Sequence, residues 1–268
     1  MTSPSAAALA ELAPTGKLRA GINFQNPLLT KLGPNGEQSG VAVDLVIELA
    51  KRLGVPIEIG AGLRGTLMGP AALRTAGIGR VLEQLHYAVE DHGDMTRPDF
   101  DLGNDPVPAN ANYYAEVRSW VGAISARAYE LASSGAVPLF MGGDHSLSMG
   151  SVNGVARHWQ RQGRPLFVMW LDAHADYNTP ATTLTANMHG MSAAFLCGEP
   201  GLDALLGDEP RVSIPPARLD LFGIRSIDPL EKELVRQRKV AVADMRAIDE
   251  FGVGVLIRRV IERVRAAG

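Results

Sequence analysis

Cysteine occurs once in 268 residues, as Cys197. That excludes an internal disulfide and any cysteine-rich zinc module, and it suits a reducing compartment. Basic residues are not in excess: the net charge is −3, so the positive footprint of a nucleic-acid binder is missing. No run of about 18 apolar residues is present, so no membrane-spanning helix is expected. The opening stretch, Met1 to Pro14, is alanine-rich with one acid, Glu11. It lacks the basic start and long apolar core of a signal peptide. Repeats and low-complexity tracts are absent as well. The expectation is a cytoplasmic protein with neither membrane nor nucleic-acid partner. Hydrophobic residues at 46% and charged residues at 21% are ordinary for a globular chain. The length admits one large α/β domain or two small ones with a sizeable core.

Strand and helix patterns alternate along the chain, which predicts a mainly parallel sheet flanked by helices. Lys17 to Phe24 reads as a strand and Asn26 to Gly40 as a loop. Apolar positions at 41, 45, 46, 49 and 53 predict a helix over Val41–Leu53, stopped by Gly54. Val55–Ile59 is a second strand, completing a β-α-β unit. A glycine-rich loop follows, with Gly60, Gly62, Gly65 and Met68-Gly69-Pro70. No G-K-[ST] follows it, so a phosphate cradle is only weakly supported. Helices are then expected at Ala71–Gly77, Ile78–His86, about 110–133, 147–162, Glu231–Lys239 and Val253–Ala267. Strands are expected at Tyr87–Glu90, 136–140, 165–171, Leu219–Ile224 and Val240–Val242.

The chemistry concentrates where the strand at 165–171 ends. Asp172, His174 and Asp176 alternate, and alternate residues of a strand share a face, so the three side chains are expected to converge. Two carboxylates and an imidazole suit Mn²⁺, Zn²⁺ or Fe²⁺ rather than a thiolate-loving metal. Taken alone, the triplet reads equally well as solvated ion pairing. A second apolar strand, 136–140, runs into Met141-Gly142-Gly143-Asp144-His145-Ser146. Two strands delivering ligands at their carboxyl ends fit the usual placement of sites in α/β sheets, and His145 with the triplet favours a metal.

From about Gly60 onward the chain resembles the arginase/agmatinase (ureohydrolase) family, and within it arginase. The resemblance rests on an ordered series: the loop at 60–65 with Met68-Gly69-Pro70, Gly93-Asp94, Gly142-Gly143-Asp144-His145-Ser146 and Leu171 to Pro180. Asn187-Met188-His189-Gly190-Met191 and Gly223 to Glu231 complete it. It implies a three-layer α/β/α sandwich. It also implies hydrolysis of L-arginine to L-ornithine and urea by a dinuclear manganese-bound hydroxide, with two Mn²⁺ per subunit. Two cations lower the pKa of bound water and stabilise developing charge, which a resonance-stabilised guanidinium requires. On this resemblance His145 binds one manganese, His174 the other, Asp172 bridges, and Asp176 binds the first ion while hydrogen-bonding the nucleophile. His189 is the implied acid/base that helps the amine leave.

The loop after the triplet implies the substrate. Asn178, Thr183, Thr185 and Asn187 fall where arginases hold the α-carboxylate, and Asp228 and Glu231 match contacts to the α-ammonium. Agmatine has no carboxylate, so the loop points to arginine. Thr185 departs from the commoner serine but keeps the hydroxyl. Structural alternatives stand beside each role: turn chemistry for Asn178-Thr179-Pro180, and a helix N-cap for Asp228-Pro229. A trimer or hexamer is implied by the family.

Two departures limit the resemblance. The family's S-x-D-x-D-x-x-D-P motif, which supplies two further aspartate ligands, does not occur in residues 1–268. The expectation is an arginase-like domain over 60–268, incomplete at the C-terminus, with impaired activity, open sheet edges and marginal stability. Residues 1–59 resemble instead the first β-α-β unit of an amino-acid-type solute-binding protein. Alternatives are another ureohydrolase, such as an agmatinase or guanidinobutyrase, or a catalytically dead truncated or fusion product.

Overall fold

The computed structural model describes residues 18–20, 31–32, 38–39, 57–59, 69–95 and 107–267. The helix expected over 41–53 and the glycine-rich loop at 60–65 with Met68 lie outside them. The chain divides into two compact units, Met1–Asp94 with Met141–Asp144, and Met95–Phe140 with His145–Gly268. Among the described residues no helix is long and apolar enough to cross a membrane.

In the first unit, β1 (Leu18–Ala20) pairs in parallel with β4 (Ile57–Ile59), as the β-α-β reading requires. The stretch expected as loop contains a short antiparallel ladder between β2 (Lys31–Leu32) and β3 (Gln38–Ser39). Helices α1 (Gly69–Thr75) and α2 (Ile78–Gln84) follow. Tyr87–Glu90 is not a strand. Helix α2 closes with His86 in the left-handed region at φ 67°, and Tyr87 N–H turns back to the Leu82 carbonyl at 3.1 Å. Beyond it the chain is tied by side chains instead of a ladder. Arg74 reaches Asp91 at 2.7 Å and Asp94 at 2.5 Å.

The second unit is built on a three-stranded parallel sheet in the order β5-β6-β7, formed by Val168–Leu171, Leu219–Ile224 and Ala241–Asp244. Central β6 is buried along nearly its whole length, which agrees with its mostly apolar sequence. Its one acid, Asp220, is buried and paired with Arg263 of α8 (Val253–Ala266). A buried carboxylate needs such a partner, so the pair anchors the last helix to the sheet. Asp228 opens α6 (Pro229–Gln237), and Asp244 caps α7 (Met245–Phe251) by accepting from Ala247 N–H at 2.8 Å.

The expected strand at 136–140 has no ladder partner among the described residues, and Val137 is 96% exposed. Its apolar character is real, but a strand exists only when a neighbour takes its backbone groups. Strand β5 likewise pairs only with β6 there, and it starts at Val168 rather than 165.

Helices α3 (Tyr114–Ser133) and α4 (Leu147–Arg161) pack face to face. Fully buried Asn153 of α4 satisfies every polar atom it brings. It donates to Ser125 Oγ at 2.8 Å and the Pro210 carbonyl at 3.0 Å, and accepts from Val212 N–H at 2.8 Å. The helices touch through Gly154, where a Cβ would stand 2.3 Å from the Ser125 carbonyl oxygen and 2.6 Å from Ala128 Cβ. Alanine gains about 1 kcal/mol in helix propensity, but a backbone carbonyl cannot step aside cheaply. Gly154→Ala is therefore expected to destabilise by about 2 kcal/mol and lower the thermal midpoint by roughly 5 °C. An unchanged or raised midpoint in a calorimetric scan contradicts this packing.

Candidate metal centre

The sequence places Asp172, His174 and Asp176 on one strand face, and the structure corrects that geometry. Strand β5 ends at Leu171, although Asp172 N–H still reaches the Phe222 carbonyl at 3.0 Å. The chain then turns. Ala173 offers its carbonyl to Arg225 N–H at 2.9 Å and Ser226 N–H at 3.0 Å, and His174 bridges to Ser226. The turn is possible because Gly223 bulges out of β6 at φ 90°, with the Asp172 carbonyl oxygen 3.2 Å from where a Cβ would sit. Asp176 adopts the left-handed region at φ 47°, uncommon for a non-glycine residue. Its carbonyl is held there by Ala193 N–H at 2.8 Å and Ala194 N–H at 3.3 Å. Both amides belong to α5 (Ser192–Leu196). The two aspartates thus meet through a turn and not through the pleat.

Their meeting point is His145, just before α4, where Ser148 N–H accepts the hand-off by donating to the His145 carbonyl at 3.0 Å. His145 Nδ1 is 2.6 Å from Asp176 Oδ2 and 2.9 Å from Asp172 Oδ2. One ligand atom from each of the three residues lies within 4.8 Å of the others. Trp170, buried on β5, packs its ring 4.7 Å from the imidazole at 50°. His174 is not part of this trio. It is largely exposed, and its Nδ1 faces the other oxygen of Asp172 at 3.6 Å. Asp172 therefore stands between the two imidazoles.

The donor chemistry fits a cation. Two carboxylates with oxygens within 4.8 Å of each other repel by about 3 kcal/mol or more at an effective dielectric of 20. A proton on His145 offsets one of the two charges, whereas a divalent ion beside a neutral imidazole offsets both. The hard oxygen and borderline nitrogen donors suit a first-row divalent metal.

The other expected residues lie on adjoining segments. Asn178 donates to Asp228 Oδ2 at 3.1 Å and accepts from Thr182 Oγ1 at 3.0 Å. The hydroxyl of Thr183 accepts from Ala186 N–H at 3.0 Å, and that of Thr185 from Asn187 N–H at 3.3 Å. Asn112 braces this loop, donating to the Thr185 carbonyl at 3.1 Å and meeting Asn187 Oδ1 at 3.5 Å. His189 sits in a 3₁₀ turn, Met188–Met191. Asp228 and Glu231 form a capping box on α6, so the N-cap alternative is met. Buried Glu231 turns both oxygens to backbone amides, Tyr177 N–H at 2.7 Å and Asp228 N–H at 3.0 Å. Burial raises its pKa above the ordinary glutamate value, and those two hydrogen bonds oppose the rise.

A sequence model of the Arginase family matches residues 51–268. The chain is 41% identical to the arginase of Brucella melitensis over 222 residues, 81% of this chain and 70% of that protein. It is 42% identical to the arginase of Agrobacterium fabrum over 214 residues, 79% of this chain and 64% of that one.

The chain belongs to the arginase family.

Among solved structures, the arginase-family chain resembles the Bacillus cereus arginase with a TM-score of 0.65 at 31% identity, covering 75% of this chain and 65% of that one. The Bacillus caldovelox arginase gives a TM-score of 0.65 at 32% identity, covering 74% and 65%. The chain thus spans about two thirds of the length of these relatives. The parallel-sheet α/β architecture agrees with the fold class expected from the sequence.

Three supports behind the centre escaped the sequence reading. Trp170 could have been found, because alternation puts it on the same side of β5 as Asp172. The pairing of Glu199 with Arg238 carries no local signal. Buried Glu199 takes Arg238 Nε at 2.5 Å and Nη2 at 2.9 Å, with Tyr177 Oη 3.4 Å away. Ser192 is the third, a buried hydroxyl in an otherwise apolar helix. Cys197 lies in the same interior, and burial pushes its thiol up to about 11, with the Glu199 charge adding to the rise and a Tyr177 hydrogen bond opposing it. The neutral thiol is the form the folded state prefers. Its stabilisation is complete below the ordinary thiol range and is lost as pH climbs toward about 11. At pH 8 about a thousandth of it is thiolate. Iodoacetamide should label native Cys197 far more slowly than the urea-unfolded chain at pH 8. Equal rates contradict this burial.

Proposed function

We propose that this chain carries the metal- and substrate-binding elements of an arginase, which hydrolyses L-arginine to L-ornithine and urea. The observation that carries the reading is the convergence of Asp172 and Asp176 on His145 Nδ1, on the segment that continues into the Asn178–Asn187 loop. His145, Asp172 and Asp176 would hold one Mn²⁺, and His174 with the second oxygen of Asp172 would contribute to another. Bound there, the ions would lower the pKa of water and stabilise negative charge as it develops.

The remaining steps belong to the protein. Asn178, Thr183, Thr185 and Asn187 present short amide and hydroxyl groups suited to an α-carboxylate, directly or through water. Asp228 offers a carboxylate to the α-ammonium, and Glu231 orients it by taking its backbone N–H. That leaves the guanidinium end free to reach toward the aspartates. Asp176 accepts a hydrogen bond from the attacking water. Its own placement is secured by α5 behind it. His189 then donates a proton to the departing δ-nitrogen, a task suited to an imidazole near neutral pH. Assembly into a trimer or hexamer and residence in the cytoplasm are the quaternary and cellular settings we infer with this reading. Agmatinase and guanidinobutyrase readings are disfavoured, since neither substrate presents the α-carboxylate and α-ammonium pair that this loop and Asp228 suit.

With Mn²⁺ present, urea release from arginine should exceed that from agmatine at least about tenfold. His189→Ala should reduce it by about a hundredfold or more while leaving ion uptake intact. Equal or greater urea release from agmatine, or no urea from arginine with the ion bound, contradicts the proposal.

A further inference from the structure

Ser192 is the first residue of α5, and its side chain is 0% exposed. Its Oγ lies 2.9 Å from the carbonyl oxygen of His145 and 2.9 Å from that of His189. A hydroxyl has one proton, so the two carbonyls share a three-centre bond. The next two residues send their N–H groups to the carbonyl of Asp176. One turn of helix therefore grips the main chain at three points, each carrying a side chain assigned above to the reaction.

The composition of α5 makes the hydroxyl conspicuous. Ser192 is followed by Ala193, Ala194, Phe195 and Leu196, all buried. Alanine at 192 would have higher helix propensity and no buried polar atom to satisfy. The hydroxyl earns its place only through its two acceptors. These belong to two separate segments: the loop before α4, and the turn bearing His189.

We propose that Ser192 is a positioning residue of this centre. It fixes the main chain of His145 relative to that of His189, and so sets the imidazole that faces Asp172 and Asp176 in register with the acid/base. The proposal rests on the reading of His145 as a metal ligand and His189 as the proton donor. It adds a group that touches neither ion nor substrate and acts through both histidines.

The test compares the full chain with Ser192→Ala and with Ser192→Cys, which keeps the volume and a weak donor. Backbone exchange is followed first, without metal. Three amides report on the three grips: Ser148, which donates to the His145 carbonyl, Asn178, which donates to the Gly190 carbonyl, and Ala193, which donates to that of Asp176. In Ser192→Ala all three should exchange about tenfold faster, with the amides of β6 unchanged and the cysteine variant intermediate. The affinity for Mn²⁺, read from the electron paramagnetic resonance of the free ion, should weaken about tenfold. Unchanged exchange at Ser148 and Asn178 overturns the proposal. So does a uniform acceleration that includes β6, which would mark a merely structural serine. Failure of the unaltered chain to take up Mn²⁺ would sink the functional reading instead, and the exchange comparison would still decide the role of Ser192.

Discussion

Three electron-rich atoms are gathered by residues 145, 172 and 176, with one imidazole nitrogen within hydrogen-bonding reach of two carboxylate oxygens. Left to themselves they would separate, since one shared proton cannot neutralise two carboxylates. Much of the surrounding architecture acts to keep them together. Asp176 is 5% exposed, so water cannot screen it freely, and its backbone occupies a region that asparagine or glycine would enter more readily. The amides of α5 hold its carbonyl from one side, and Glu231 holds the neighbouring amide of Tyr177 from the other. Strain stored in a turn persists only when its surroundings over-determine it, and here two separate elements do so.

The centre is assembled on the carboxyl ends of β5 and β6, and both strands contribute more than their ends. Gly223 gives the space in which the chain leaves β5. Trp170 supplies the wall against which His145 packs. Asp172 occupies the corner, with one oxygen toward His145 and the other toward His174. In the proposed reading, this division would place Asp172 between two ion positions. Further out, Glu199 and Arg238 fasten the interior around Tyr177 to the end of α6, so the N-terminal capping box and the C-terminal ion pair of one helix brace the same loop.

Long periodic elements were legible in the sequence. Helices α3, α4 and α8 and strand β6 lie within a few residues of where apolar spacing puts them, because burial of one face or both writes a local pattern. Residues 87–90 and 136–140 carry the same apolar texture without becoming strands, since a ladder depends on a neighbour that local sequence does not name. The centre was legible in its members more than in its geometry. His145, Asp172 and Asp176 come together as a set, but the left-handed Asp176 that closes the set is imposed by Ala193, Ala194 and Glu231, which are distant in sequence. His174 faces outward because the pleat ends at Leu171. Ser192 left no trace in the sequence, being one small polar residue among alanines, and only its two carbonyl partners reveal it.

The central claim is that the space between His145, Asp172 and Asp176 is made for a cation. Crystals of the chain grown with Mn²⁺ and measured at the manganese absorption edge test it most directly. The account predicts an anomalous peak in contact with His145 Nδ1 and with a carboxylate oxygen of each aspartate. Manganese-saturated crystals without density at that point, with His145 still hydrogen-bonded to Asp176, would contradict it.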